Sequence, residues 1–163
     1  MKLLSKKARG FTLIEILVVI GIIAILAAIV IVAINPAKQF AQARNTQRES
    51  NINSILNAVG QNLADNKGVF GGVCATTLPV NTASSSIITG AGGTLPAGDP
   101  AATKDLSCLT PTYIPSFPTD PTVASGGYTG YTLSVDSVGR VLVCAPASNE
   151  AALGTPAAIC VKR

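Results

Sequence analysis

Histidine and tryptophan are both absent from the chain, and only 12% of its 163 residues are charged. With no histidine, three glutamates and five scattered aspartates, the sequence offers no acid–base pair and no nucleophile–base arrangement. It also lacks CxxC pairs, which argues against a zinc site. These absences argue against an enzyme, and the hydrophobic share of 48% indicates a membrane or envelope protein.

The four cysteines are even in number and widely spaced. This pattern favours two disulfides formed in an oxidising compartment over four buried free thiols. Four cysteines allow three pairings, and proximity along the chain favours Cys74 with Cys108 and Cys144 with Cys160.

The positive charge is concentrated at the start of the chain. Of the 12 basic residues, four lie in the first ten positions, and the remaining eight balance the eight acidic residues. Few basic residues follow Gly68, so the sequence carries no strong signal for a nucleic-acid partner.

Residues 11–34 form an apolar run with one charge, Glu15. A helix of this length measures roughly 36 Å, enough to cross a hydrocarbon core of about 30 Å. The basic residues before it place the N-terminus in the cytoplasm and the rest of the chain outside. The run is longer than that of a secretory signal peptide, and Asn35-Pro36 follows it where a small-residue cleavage site would be needed.

A plain membrane anchor does not explain Glu15. A carboxylate in a membrane helix costs about 2.5–3.5 kcal/mol near the bilayer centre, so it is expected to have a function and a partner. A cut after Gly10 would create such a partner, because Phe11 would gain a free amine that a neighbouring copy of the helix could offer to the carboxylate.

The basic leader, Gly10, the sequence Phe-Thr-Leu-Ile-Glu and the apolar run together resemble the class III signal of type IV pilins and type II secretion pseudopilins. The resemblance covers residues 1–35. It implies cleavage between Gly10 and Phe11 by a prepilin peptidase, N-methylation of Phe11, and pairing of Glu15 with the amine of an adjacent subunit.

The expected function is therefore a structural subunit that waits in membrane lipid and polymerises with itself through an assembly machinery. The expected location is the cytoplasmic membrane, with the head outside, and then a filament. Three alternatives stay open: a type II secretion pseudopilin, a minor tip pilin that binds DNA or a surface, and a plain anchored envelope protein.

The expected fold is α+β: a long N-terminal helix packed on a small antiparallel sheet head with two disulfides. The boundaries are a leader at 1–10, a membrane or filament-core helix at 11–34, an amphipathic helix half at 35–67 and a head at 68–163. Asn35-Pro36 is either a helix start or a kink in one long helix. The resemblance favours a continuous helix that is kinked or locally melted at this point.

In the amphipathic half, one apolar stripe is expected to carry the head, whereas the polar stretch 42–51, with Arg44 and Arg48, is expected to face solvent or neighbouring subunits. Gly68 is a suitable helix stop. The members of the stripe are Ile52, Ile55, Leu56, Val59 and Leu63.

In the head, residues 69–105 indicate a long surface connection. The glycine-rich stretch 90–93 within it lacks the lysine of a phosphate-binding loop. Residues 131–144 predict a β-hairpin that turns at 136–139, and 159–162 predict a third antiparallel strand.

The segment Tyr113-Ile114-Pro115, continued by Pro118, Asp120 and Pro121, resembles the one before the head sheet of major pseudopilins. In that class a calcium ion often lies in nearby loops. Asp120 is therefore a candidate calcium ligand, but only Asp136 and backbone carbonyls could join it, and a turn-capping role for Asp120 is favoured. No other cofactor is indicated.

Overall fold

The structure is a computed structural model. It describes residues 10–74, 77–78, 84–89, 95, 102–123 and 125–163. The chain divides into two compact units, residues 1–39 and residues 40–163, and each is described by itself. The basic leader before Gly10 and the glycine-rich stretch 90–93 lie outside the described residues. The structure therefore does not test the predictions made for these two segments.

The first unit contains helix α1, Leu13–Ile34. Among the described residues it is the one helix long and apolar enough to cross a membrane. All of its side chains are exposed in the isolated chain. An apolar helix with no protein cover is stable where lipid or another copy surrounds it, since its backbone groups are paired internally.

The break after α1 is one residue long. Asn35 adopts a left-handed backbone conformation with φ 45°, and helix α2 begins at Pro36. The Asn35 side-chain oxygen accepts a hydrogen bond from the Lys38 amide at 3.3 Å, as an N-cap does. Asn35-Pro36 is thus a helix start, and the interruption of one residue is also the local melting that the favoured interpretation allowed. Proline supplies no amide hydrogen, and the left-handed asparagine ends α1 before α2 starts.

Helix α2, Pro36–Asp65, provides one wall of the head core. The predicted stripe packs in this core: Ile52, Ile55, Leu56 and Val59 are buried, and Leu63 is partly buried. The helix stops as expected near Gly68, whose φ is 88° and whose amide donates to the carbonyl of Leu63 at 2.7 Å.

The described residues of the head form a five-stranded sheet with the spatial order β2-β1-β3-β4-β5. β1 and β2 are parallel and all other neighbours are antiparallel. The strands are β1 Ser85–Ile88, β2 Thr103–Asp105, β3 Tyr128–Val135, β4 Val141–Ala145 and β5 Ile159–Lys162. The predicted α+β class, with an apolar N-terminal helix, a second helix and a mostly antiparallel sheet, is confirmed.

β1 and β2 correct the prediction that residues 69–105 are only a surface connection. β1 lies between β2 and β3, and Ser86 and Ile87 are fully buried. These strands have four and three residues, so they carry too little alternation to be recognised in a segment rich in small residues. Their pairing partners come from distant parts of the chain.

The hairpin and the third strand are confirmed. β3 and β4 pair from Thr132–Cys144 to Val135–Val141, and β5 lies beside β4 with Cys160 opposite Cys144. All four cysteines are bonded, Cys74 to Cys108 and Cys144 to Cys160.

Candidate functional site

The predicted cleavage position lies in the non-helical segment before α1. Gly10 and Phe11 are both exposed, and the helix begins only at Leu13. Among the described residues, nothing beyond its chain neighbours lies within 4 Å of a Cβ built on Gly10. An exposed peptide outside regular structure is accessible to a protease.

Glu15 lies in the first turn of α1, where it forms a capping box with Thr12. The Thr12 hydroxyl oxygen accepts a hydrogen bond from the Glu15 amide at 3.3 Å. The Glu15 Oε2 atom accepts from the Thr12 amide and hydroxyl, each at 3.4 Å. The box pairs backbone donors that a helix start leaves without partners, and the carboxylate lies at the positive end of the helix dipole.

The capping box involves one of the two oxygen atoms of the Glu15 carboxylate. Both contacts go to Oε2, and no hydrogen bond to Oε1 is found within the described residues. Glu15 is exposed in the isolated chain, so Oε1 is accessible to a donor from outside it.

The second site is a cluster of charged side chains between α2 and the head loops. Arg48 is fully buried at its centre. Its Nε atom donates to the Asp120 carboxylate at 2.7 Å, and its Nη1 atom donates to Glu150 at 2.5 Å. Arg44 forms a second ion pair with Glu150. The prediction that stretch 42–51 faces solvent or neighbouring subunits is thus wrong for Arg48, whereas the side chain of Arg44 is 35% exposed and pairs with Glu150.

Other polar side chains of the same stretch also bind the head, one at a loop and one at β3. The Asn45 amide donates to the Ser148 carbonyl at 3.1 Å, and the Asn51 amide donates to the Tyr131 hydroxyl oxygen at 2.8 Å. The apolar stripe of α2 packs in the core, whereas its N-terminal polar part is fixed by hydrogen bonds and charge.

The buried arginine had a signal in the sequence. Ala41, Arg48, Ile55 and Asn62 are spaced by seven residues and are all buried. That spacing keeps side chains on one face of a helix for two or three repeats. Counting back seven residues from Ile55 reaches Arg48. Because Arg48 is charged, the pattern of apolar residues does not show that the buried face of the helix extends to it.

The charges of the cluster hold each other ionised. Hydrogen bonding from Arg44, aided by Arg48, lowers the pKa of Glu150 to about 2 although partial burial opposes it. Burial raises the pKa of Asp120, but hydrogen bonds from Arg48 and Thr122 outweigh it and hold that pKa below its ordinary value. Both carboxylates are therefore negative at neutral pH beside two positive guanidinium groups.

The environment of Asp120 does not fit a calcium ion. Its Oδ2 atom accepts from Arg48, and its Oδ1 atom accepts from the amide and hydroxyl of Thr122, both at 2.8 Å. Asp136, the other candidate ligand, accepts from the Val138 and Arg140 amides in the β3–β4 turn. Both carboxylates cap turns, and among the described residues no group of three acidic, cysteine or histidine side chains could hold a metal.

Residues 5–31 match the family model described as the prokaryotic N-terminal methylation motif. The match includes the Gly10–Phe11 junction, Glu15 and most of α1. It supports the type IV pilin-like family, of pilins and pseudopilins, whose proteins are structural rather than enzymatic. No curated protein and no solved structure gives a significant match to the chain.

Proposed function

We propose that this pilin-like chain is the structural subunit of a type IV pilus-like filament, made as a precursor and polymerised through α1. One observation carries the proposal: residues 5–31 match the methylation motif, and their helix is apolar apart from Glu15. A cytoplasmic membrane holds α1 before assembly, with the leader inside and the head outside.

A prepilin peptidase cuts between Gly10 and Phe11, and Phe11 is then N-methylated. The exposed, non-helical junction supports this step. Cleavage removes four basic residues, after which basic and acidic residues are equal in number. It also releases the amine of Phe11 at the end of the helix that carries Glu15.

In the filament, the Phe11 amine of one subunit pairs with Glu15 of the next. The pair offsets the cost of a carboxylate among apolar helices, and Oε1 can accept it while Oε2 keeps its contact with Thr12. The remaining exposed surface of α1 packs against copies of itself. Head-to-tail packing that does not close into a ring produces a filament.

A second candidate is a pseudopilin of a type II secretion system. It is favoured by the segment from Tyr113 to Pro121, which resembles the one before the head sheet of major pseudopilins. Deletion of the gene distinguishes the two functions. Loss of surface filaments with normal export supports the pilus, and loss of an exported protein supports the pseudopilin.

The test of assembly is Glu15→Gln, which removes the charge and keeps the size. We expect the variant to be cut at Phe11 at a normal rate but to form at least tenfold fewer filaments by negative-stain microscopy of sheared material. Glu49→Gln is the matched control, because Glu49 is an exposed carboxylate on α2, and it should assemble normally. Normal filaments from Glu15→Gln would contradict the proposed role.

A further inference from the structure

The guanidinium group of Arg48 lies among five oxygen atoms from four side chains. Nε and Nη2 donate to the two oxygens of Asp120 at 2.7 and 3.3 Å, and Nη2 also donates to the Thr122 hydroxyl oxygen at 2.8 Å. Nη1 donates to the Asn45 amide oxygen at 2.8 Å and to Glu150 at 2.5 Å. A guanidinium has five N–H donors, so each of them has an acceptor.

These oxygens are of the kinds that a calcium ion binds. Carboxylate, amide and hydroxyl oxygens are hard ligands, and calcium takes six to eight of them. Here five of them surround one guanidinium group. They come from α2, from the loop at 120–122 and from the loop after β4, so a cation at this point joins three separate parts of the head.

A metal ion has no room at this point while Arg48 is present. The Arg48 side chain is fully buried and occupies the centre of the oxygens. Two arginines and two carboxylates balance each other in the cluster. A divalent ion added to them would leave an excess of buried positive charge, which is strongly unfavourable.

We propose that Arg48 is the internal cation of the head and takes the place that calcium would have at the junction of α2 with its loops. The head is therefore independent of calcium. An arginine suits this role because it stays protonated and its planar fork reaches acceptors in several directions. The inference concerns the head alone and does not depend on filament assembly.

The direct test is thermal unfolding of the full-length chain in detergent micelles, followed by near-ultraviolet circular dichroism of the buried Tyr128 and Tyr131. We expect the same Tm, to within about 1 °C, in a chelator and in millimolar calcium chloride. A ligand that binds only the folded state raises Tm. A rise of several degrees with calcium, not reproduced by magnesium chloride, would overturn the proposal.

A variant tests the role of the guanidinium itself. Arg48→Met leaves the buried Asp120 carboxylate without its arginine and the partly buried Glu150 with one arginine, and we expect it to lower Tm by roughly 10 °C or more. Arg140→Met is the matched control, because Arg140 pairs with Asp136 at the exposed surface, and it should change Tm little. Equal Tm values for the two variants would also overturn the proposal. If Arg48→Met does not fold, the calcium measurement on the unaltered chain still decides.

Discussion

Glu150 is the residue on which both arginines of the buried cluster meet. Arg44 and Arg48 each form an ion pair with it, and its side chain is 15% exposed. Its pKa is about 2 in the folded chain against an ordinary value of 4.5. A carboxylate with a lowered pKa stabilises the fold above its ordinary pKa and loses that contribution as the pH falls towards the lower value.

We predict an acid-dependent loss of stability that arises from this residue. The Tm of the full-length chain should change little down to about pH 5 and then fall towards about pH 2. Asp120, whose pKa is also lowered, acts in the same direction. Glu150→Gln should have a lower Tm than the unaltered chain at neutral pH, and the two values should converge in acid. If the difference in Tm between the two proteins stayed constant as the pH fell, the role given to Glu150 would be contradicted.

Gly130 determines how closely the loop that carries Asp120 approaches β3. Its φ is 84°, and a Cβ on it would lie 2.3 Å from the Cβ of Asp120. Gly139 has a similar φ of 87°, but nothing lies within 4 Å of its Cβ position among the described residues. The two glycines share the same backbone strain and differ in free space.

We predict that Gly130→Ala destabilises the chain more than Gly139→Ala does. Left-handed backbone costs about 1–2 kcal/mol for alanine at either position. At Gly130 the collision with Asp120 adds roughly 1–3 kcal/mol and displaces the carboxylate from Arg48. Thermal or denaturant unfolding of both variants measures the difference. Equal destabilisation would mean that the loop that carries Asp120 moves away from β3 at no cost, which would contradict the prediction.

At the scale of elements, α2 is held to the head in two ways along its length. Its C-terminal half packs an apolar stripe in the core, and its N-terminal polar part uses Arg44, Asn45 and Arg48 against loops. β5 is fixed to β4 by the Cys144–Cys160 disulfide and by backbone hydrogen bonds between Val141 and Arg163.

We predict that both disulfides contribute to stability. The two pairs are separated by 34 and 16 residues, for which the chain-entropy relation gives about 4 and about 3 kcal/mol. Cys144→Ser with Cys160→Ser should therefore lower the free energy of unfolding and increase cleavage of the C-terminal strand by a protease. Unchanged proteolysis would mean that backbone pairing alone holds β5.

The sequence predicted those elements whose pattern is local. The run of α1, the stripe of α2, the hairpin and β5 each carry their periodicity within a few residues. β1 and the contacts of Arg48 were not predictable in this way, because their partners lie far along the chain. Ile87 is buried by the neighbours of β1, and Arg48 is 72 residues from Asp120.

For Glu15, the sequence predicted an assembly function and not the capping box. The Thr-Leu-Ile-Glu spacing is that of a capping box, in which the Glu15 side chain binds the backbone of Thr12. The match to the methylation motif supports the family, and the pairing with a neighbouring amine stays a prediction.

At the scale of the whole molecule, the chain combines an uncovered apolar helix with a head that is stabilised by its own bonds. The described side chains of α1 have no cover within the chain, whereas the head has a core, two disulfides and paired internal charges. Among the described residues, the apolar surface that needs cover by lipid or by other copies is concentrated in this helix. In the function proposed above, processing at Gly10–Phe11 couples release of the leader to formation of the amine that pairs with Glu15.

The most direct test of this claim is mass spectrometry of the N-terminal peptide of the protein isolated from sheared surface filaments or, if none form, from the membrane. We predict a peptide that begins at Phe11 and carries one methyl group on its amine. An intact Met1, or a start at any residue other than Phe11, would contradict the account.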